Sequence, residues 1–179
     1  PKVTDTGIKK VSVFFLTVKS IHLHFSKKFK LKINYRPFKD SDKEIIFGLI
    51  QDLYKEDNSI RPMSEEKIRR TFAEFESNPG KGSIVIIEKD NNIAGYSILI
   101  NFWSNEFGGN ILFVDELYIK KEFRGQSIAS DFIRYLSENR SEETVALQLQ
   151  VTPENIKARR LYERLGFKLH KNDTLVLDI

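Results

Sequence analysis

The chain has 179 residues, no cysteine and a formal net charge of +4. This length suits one domain with a full hydrophobic core, and the absence of cysteine excludes disulfides, thiolate metal sites and a cysteine nucleophile. The charge is uneven: residues 1–40 hold ten Lys and Arg against two Asp, whereas residues 41–179 hold nineteen basic and twenty-three acidic residues, so the main body is acidic and is not expected to bind nucleic acid.

Residues 1–31 are expected to form an N-terminal extension of a domain that spans residues 32–179. Within this extension, Val11–Phe25 is apolar but only fifteen residues long, and a membrane-spanning helix needs about 20 apolar residues. We therefore predict no membrane span, and we expect the extension to be an extra strand or hairpin, or a tail. His22 and His24 lack a carboxylate or cysteine partner, so no metal site is predicted.

Hydrophobic spacing predicts the regular elements of the domain, and turn and capping residues mark their ends. The predicted elements, in chain order, are a strand at Lys32–Pro37, helices at Asp42–Tyr54 and Ser64–Ser77, strands at Ser83–Glu88 and Ile93–Phe102 joined by a turn at Asp90–Asn92, a strand at Ile111–Ile119, a helix at Ser127–Ser137, a strand at Thr144–Val151, a helix from Asn155, and strands at Phe167–His170 and Leu175–Asp178. This order predicts an α/β fold with a mixed, mostly antiparallel central sheet of about seven strands and helices on both faces.

The segment between the strand at Ile111–Ile119 and the next helix has the layout of a phosphate-binding turn. It reads Arg124-Gly125-Gln126-Ser127-Ile128-Ala129. The first turn of a helix leaves about four backbone amides unpaired and carries roughly half a positive charge, so it attracts anions. Arg124 would add donors suited to phosphate oxygens. Taken alone, the segment could equally be an ordinary strand-to-helix turn.

The last predicted helix carries a second pattern. Asn155, Ala158 and Tyr162 fall at positions i, i+3 and i+7, which places an amide, a small side chain and a phenol on one helical stripe. Gly166 then lies where a left-handed residue usually ends a helix, and Phe167 begins a strand.

Together, the two segments resemble the GNAT superfamily of N-acetyltransferases, which use acetyl-coenzyme A. The resemblance covers roughly Lys32–Ile179 and implies that this part is an N-acetyltransferase domain. At the turn, the family has Gln or Arg, two residues, Gly, one residue, and Gly or Ala. Arg124 and Ala129 match, whereas Ser127 stands where Gly is usual. Serine adds a Cβ near the pyrophosphate, but it suits a helix start, and its hydroxyl could donate to a phosphate.

The resemblance implies that the strand ending at Ile119 splays away from the strand at Thr144–Val151. Splaying would free backbone groups that the amides of the pantetheine arm can bind. The resemblance implies acetyl-coenzyme A as co-substrate, bound by Leu117, Tyr118, Ile119, Arg124, Gly125, Gln126, Ser127, Ile128, Ala129, Asn155 and Ala158.

The resemblance also implies direct attack of an amine on the thioester, without an acyl-enzyme. An amine with a pKa of about 10.4 is almost fully protonated at pH 7, which costs roughly 4.6 kcal/mol, so a base is needed. Asp115 and Glu116 are the candidates. Because neighbouring strand residues face opposite sides, at most one should face the site, and we favour Glu116. Alternatively, both are rim or helix-facing carboxylates satisfied by Lys or Arg.

Tyr162 matches the family's phenol, which would protonate the departing thiolate, whose thiol has a pKa of about 8.5. Asn155 would bind the pantetheine arm or orient Tyr162. The alternatives are a core tyrosine at one position and a helix-capping asparagine at the other.

The sequence therefore predicts an enzyme that transfers the acetyl group of acetyl-coenzyme A to a primary amine of a small molecule. A protein or peptide N-acetyltransferase and a non-catalytic acyl-coenzyme A-binding module are the alternatives. A reducing, cytoplasmic location fits the lack of cysteine, and a homodimer is left open.

Overall fold

The computed structural model describes residues 32–56, 61–170 and 174–177. The extension expected at residues 1–31 lies outside the described residues. None of the described helices combines the length and apolar character needed to cross a bilayer. The helices and strands are β1 (Ile33–Pro37), α1 (Lys43–Glu56), α2 (Glu65–Ser77), β2 (Gly82–Lys89), β3 (Asn92–Ser104), β4 (Gly109–Ile119), α3 (Ile128–Glu138), β5 (Thr144–Leu149) and α4 (Ile156–Arg164).

The strands form one sheet in chain order, β1-β2-β3-β4-β5. Strands β1 to β4 pair antiparallel, and β5 pairs parallel to β4. The β2–β3 hairpin turns at Asp90 and Asn91, whose φ angles of 50° and 65° are left-handed, as a two-residue type I′ turn requires. Asn92, which was predicted in the turn, already pairs with Lys89 in the sheet.

A hydrophobic layer covers each face of the sheet. Helices α1 and α2 cover one face with side chains such as Ile50 and Ile68, and α3 covers the other with side chains such as Phe132. Neighbouring residues of β2 alternate between the layers: Ile86 packs toward α1 and α2, and Ile87 packs toward α3. Each fully buried Ile or Leu stabilises the fold by about 1.5–3 kcal/mol. The predicted mixed sheet with helices on both faces is confirmed.

Strand β4 changes its neighbours after Val114. Strand β5 pairs with β4 only as far as Val114, whereas β3 stays paired as far as Ile119. A bulge lies at the same point, because Val114 and Glu116 pair with adjacent residues of β3 and leave Asp115 as the extra residue. The splayed strand pair is thus confirmed, and residues 115–119 are open on the β5 side.

The prediction of about seven strands is wrong for the described residues, which contain five. The segments Phe167–His170 and Leu175–Asp178, predicted as the last two strands, form no strand in their described parts. A strand is stable only when a neighbour pairs with it and one of its faces is buried, but Leu169 and Leu175 are 84% and 94% exposed. The alternation of apolar residues alone therefore predicted too many strands in the C-terminal part of the chain.

Candidate active site

The turn between β4 and α3 presents a row of backbone amides. We call its residues, Arg124–Ala129, the cradle. A single 3-10 turn at Lys121–Phe123 precedes it, and the first hydrogen bond of α3 runs from the Asp131 amide to the Ser127 carbonyl, 2.9 Å away. The amides of residues 128–130 lie ahead of that bond and have no acceptor within the helix, which makes the cradle suitable for an anion.

Ser127 adopts a backbone conformation that favours glycine. Its φ of 62° is left-handed, and Gly125 has a φ of 73°. A non-glycine residue in this region costs about 1–2 kcal/mol, which is a physical reason for glycine at this point of the resembled pattern. Ser127 lies at the N-cap position of α3, at the helix start for which serine is suited, but its side chain makes no capping bond, because residues that cap with their side chain have an extended backbone. The exposed hydroxyl is therefore not used by the helix.

Arg124, the first residue of the cradle, is bound by protein groups. Its Nε donates to the Ile119 carbonyl at 2.7 Å, and its NH2 group lies 2.8 Å from Glu56 Oε2. The guanidinium carbon lies 5.2 Å from the centre of the Tyr118 ring. Two of the donor positions that the sequence assigned to phosphate are thus occupied by protein oxygens.

The Gln126 side chain holds the cradle from within the protein. Its amide nitrogen donates to the Glu122 carbonyl at 3.1 Å, and its amide oxygen accepts a hydrogen bond from Lys89. Lys89 is only 9% exposed, and its ammonium lies 5.8 Å from the centre of the Phe123 ring. Because the Gln126 side chain is occupied in this way, its contribution to a ligand would come from the backbone.

The end of β4 supplies an open edge next to the cradle. Leu117, Tyr118 and Ile119 pair with β3 on one side and have no β5 partner on the other. Leu117 and Ile119 pack toward α3, whereas Tyr118 packs toward α1 and α2. Backbone groups on the open side need hydrogen-bond partners, so this edge can bind the amides of an extended ligand.

Glu116 is buried next to the bulge, where two tyrosines hold it. The residue is 8% exposed. The Tyr96 hydroxyl donates to Glu116 Oε2 at 2.6 Å, and the Tyr54 hydroxyl also donates to the carboxylate. Burial raises the pKa of Glu116, the charge of Asp115 adds to the rise, and the two hydrogen bonds only partly oppose it. A carboxylate with a raised pKa is suited to accept a proton.

Asp115, the bulge residue, lies next to Glu116 in sequence but is exposed. The protein around it still desolvates the carboxylate enough to raise its pKa. The bulge breaks the alternation that the sequence analysis assumed: Val114 packs toward α3 and Glu116 reaches Tyr96 in the opposite layer, with Asp115 between them. Neither carboxylate pairs with Lys or Arg within the described residues, so the structure does not have the alternative in which Lys or Arg satisfies both carboxylates.

Asn155 directly precedes helix α4, which carries Ala158 and Tyr162. Asn155 Oδ1 accepts a hydrogen bond from the Ala158 amide at 3.1 Å, so Asn155 is a helix cap. Asn155 is exposed, whereas Ala158 and Tyr162 are half-buried. Because capping uses only the oxygen, the amide nitrogen of Asn155 still has two donors to offer a ligand.

The C-terminal turn of α4 fixes the position of Tyr162. Gly166 has a left-handed φ of 94°. Its amide bonds to the Glu163 carbonyl and the Phe167 amide bonds to the Tyr162 carbonyl, both at 3.0 Å. With the Tyr162–Phe167 ring contact, 5.7 Å between centres, these bonds form a Schellman motif. Burial raises the pKa of Tyr162, so the phenol stays protonated at neutral pH.

Four residues that hold the predicted site residues were not predicted from the sequence. They have no local signal, because Tyr54 and Tyr96 fit core patterns, Glu56 ends a helix and Lys89 precedes a hairpin turn. Each acts on groups far along the chain: Tyr96 is 20 residues from Glu116, and Glu56 is 62 residues from Tyr118.

Comparison with known proteins agrees with this geometry. The model of the acetyltransferase (GNAT) family matches residues 47–167. No curated protein matches the chain in sequence. Among solved structures, the chain is similar to a possible acetyltransferase from Clostridium difficile 630, with 21% sequence identity and a TM-score of 0.72; the match covers 82% of this chain and 97% of that chain.

Two further similar structures are named for different acceptors. One is a ribosomal-protein-alanine N-acetyltransferase from Brucella melitensis biovar Abortus 2308, with 19% identity, a TM-score of 0.64, and coverage of 82% of this chain and 99% of that chain. The other is a glucosamine-6-phosphate N-acetyltransferase from Arabidopsis thaliana, with 19% identity, a TM-score of 0.59, and coverage of 82% and 97%. At these identities the likeness concerns the fold, and the two names cover both a protein and a sugar phosphate.

Proposed function

The chain belongs to the acetyltransferase (GNAT) family, as an acetyl-coenzyme A-dependent N-acetyltransferase, and from that premise we propose that it acetylates the primary amine of a small molecule by direct attack on the thioester. The observation that carries the proposal is the position of Glu116. This carboxylate is 8% exposed and lies next to the residue after which β4 leaves β5. A primary amino group, which carries a single substituent, can approach such a carboxylate more easily than a more highly substituted amine.

The cradle and the open edge of β4 are the proposed binding site of the coenzyme. The amides of residues 128–130 and the backbone of Gly125 and Ser127 suit the oxygens of a pyrophosphate. The Ile119 carbonyl is bound by Arg124, and the remaining backbone groups on the open side of residues 117–119 suit the two amides of a pantetheine arm. The Asn155 amide offers donors from the start of α4. When bound, the coenzyme supplies the acetyl group as an activated thioester.

Glu116 is proposed to take the proton of the attacking amine, directly or through a water molecule. Burial raises the pKa of this carboxylate, which brings its proton affinity closer to that of the amine and makes the transfer easier. The hydroxyls of Tyr96 and Tyr54 hold the carboxylate in place. Asp115, exposed at the bulge, would attract the amine in its ammonium form before the proton is lost.

Tyr162 is proposed to act at the other end of the reaction. As the C–N bond forms and the C–S bond breaks, negative charge develops on sulfur, and a phenol hydroxyl can donate a hydrogen bond or a proton to it. The raised pKa of Tyr162 keeps that proton available at neutral pH. Its hydroxyl has no hydrogen-bond partner among the described residues, so it is free to serve the sulfur.

A thiol-release assay with acetyl-coenzyme A tests the proposal. Polyamines, aminoglycosides, amino acids and peptides are added in turn, and we expect one class of small primary amine to accelerate thiol release at least about tenfold, with the acceleration lost in Glu116→Gln. Acceleration by peptides alone would instead assign a protein or peptide acceptor. Coenzyme binding without acceleration by any amine would make the chain a binding module.

A further inference from the structure

We propose that Glu56 is a positioning residue for coenzyme binding. It fixes the Arg124 side chain, which links the end of β4 to the start of the cradle, and we call this Glu56–Arg124 pair the brace. The inference rests on the proposed coenzyme site and adds to it a residue from α1. Glu56 is the last residue of α1. Its Oε2 accepts a hydrogen bond from Arg124 NH2 at 2.8 Å, and its Oε1 accepts one from the Tyr118 hydroxyl at 3.0 Å. Lys121 Nζ lies 3.5 Å from Oε1.

These contacts fix the orientation of the Arg124 side chain. Its Nε is bound to the Ile119 carbonyl, its NH2 group to Glu56, and its guanidinium carbon lies 5.2 Å from the centre of the Tyr118 ring. Partial burial acts to raise the pKa of Glu56, but the hydrogen bonds from Arg124 and Tyr118 outweigh it and leave the pKa below its ordinary value. Glu56 is therefore ionised at neutral pH, and the pair with Arg124 is a charged one.

The brace acts at the start of the cradle. Arg124 is the first cradle residue, and its bond to Ile119 closes the chain across the 3-10 turn at Lys121–Phe123. That closure sets the direction in which the chain leaves the open edge of β4. Glu56 supports the guanidinium from α1, so a helix of the opposite layer helps to place the amides that follow Arg124.

Removing the negative charge of Glu56 changes coenzyme A affinity in opposite directions if Arg124 is part of a brace and if it is a phosphate ligand. Coenzyme A carries several negative charges, so removing a nearby carboxylate should strengthen its binding if charge alone matters. If Arg124 bound phosphate directly, loss of Glu56 would also free its guanidinium for that role. A brace predicts the opposite, because loss of Glu56 lets Arg124 and the cradle move and weakens binding in spite of the favourable charge change.

The test measures the Kd of coenzyme A by calorimetry, without an acceptor, at about 0.15 M salt. We expect Glu56→Gln and Arg124→Gln each to raise Kd about five- to tenfold, and the double variant to raise it no further than the larger single effect, because both changes remove the same interaction. With saturating acetyl-coenzyme A, kcat should stay within about twofold, so the loss falls on KM.

Glu122→Gln is the matched control. Glu122 lies in the neighbouring 3-10 turn, is exposed and makes no ion pair with any described residue, so its neutralisation should leave Kd unchanged or lower it. Tyr118→Phe is a milder second variant, which removes only the hydroxyl bonded to Glu56 and should raise Kd about twofold. It keeps the inference testable if Glu56→Gln does not fold.

The outcomes are distinguishable. If the wild-type protein does not bind coenzyme A, the proposed function fails, and this inference fails with it. If the wild type binds and Glu56→Gln binds as tightly or more tightly while Arg124→Gln binds more weakly, Arg124 is a phosphate ligand and only this inference is overturned. Fully additive losses in the double variant would overturn it as well.

Discussion

The two halves of β4 have different neighbours. Residues 110–114 pair with both β3 and β5, whereas residues 116–119 pair with β3 alone. The first half holds Ile111, which is 1% exposed, and the second half carries Glu116 and backbone groups without a β5 partner. Unpaired backbone groups reduce stability unless a partner binds them. The comparison teaches that one strand can stabilise the sheet in its first half and leave its second half open on one side, where we propose that the coenzyme binds.

The largest expected effect concerns Glu116, the buried carboxylate in the open half of β4. Glu116→Gln keeps the shape and the contacts with Tyr96 but cannot accept a proton, so kcat should fall by about 10²–10³-fold. In the wild type the base must be ionised, so kcat/KM should fall as the pH drops through the pKa of Glu116, which burial raises above the usual value of about 4.3. Asp115→Asn is the comparison variant, with a smaller loss. A Glu116→Gln enzyme within about threefold of wild type would assign the base elsewhere.

The next effect concerns the fully paired half. Ile111→Ala removes a buried side chain and should lower the free energy of unfolding by about 3 kcal/mol in urea denaturation. Because Ile111 lies before the splay, the Kd of coenzyme A should stay within about twofold of wild type. A tenfold weaker Kd would mean that the two halves of β4 are not separable in this way.

A smaller effect is expected at Tyr162 on α4. Tyr162→Phe removes only the hydroxyl and keeps the ring contact with Phe167, so the melting temperature should not change. We expect kcat to fall about 10- to 100-fold, with the KM for acetyl-coenzyme A within about twofold. Tyr135→Phe on α3 is the matched control and should leave kcat unchanged. Equal rates for Tyr162→Phe and wild type would return Tyr162 to a packing role.

The smallest expected effect is on the free energy of unfolding, through the left-handed backbone of Ser127 in the cradle. Ser127→Gly relieves a left-handed serine, worth about 1–2 kcal/mol, but glycine adds flexibility to the unfolded chain, worth about 0.4–1 kcal/mol. The net gain in unfolding free energy should be about 0.5–1 kcal/mol, with no loss of coenzyme affinity. Ser130→Gly, at a helical position of α3, should instead lower stability. A destabilised Ser127→Gly protein would mean that the serine side chain supports the cradle.

Local chemistry was the reliable guide to the ends of elements. The left-handed pair Asp90–Asn91 and the helix stop at Gly166 follow from residues whose backbone preferences act within a few positions. The splay after Val114 followed from family resemblance, because the strand pattern of Ile111–Ile119 is the same whether one neighbour or two pair with it. The prediction of two final strands was wrong for the same reason, since alternation of apolar residues does not show whether a partner strand is present.

The sequence by itself determined the two motifs, the Arg124–Ala129 turn and the Asn155–Tyr162 stripe, because strand-to-helix turns and helix caps depend on residues close together in the chain. Tertiary structure alone decided that Glu116 is held by Tyr54 and Tyr96 and that Glu56 holds Arg124. The physical reason is distance along the chain: a carboxylate takes its pKa and its orientation from whatever packing brings next to it, and no local pattern specifies partners that lie tens of residues away.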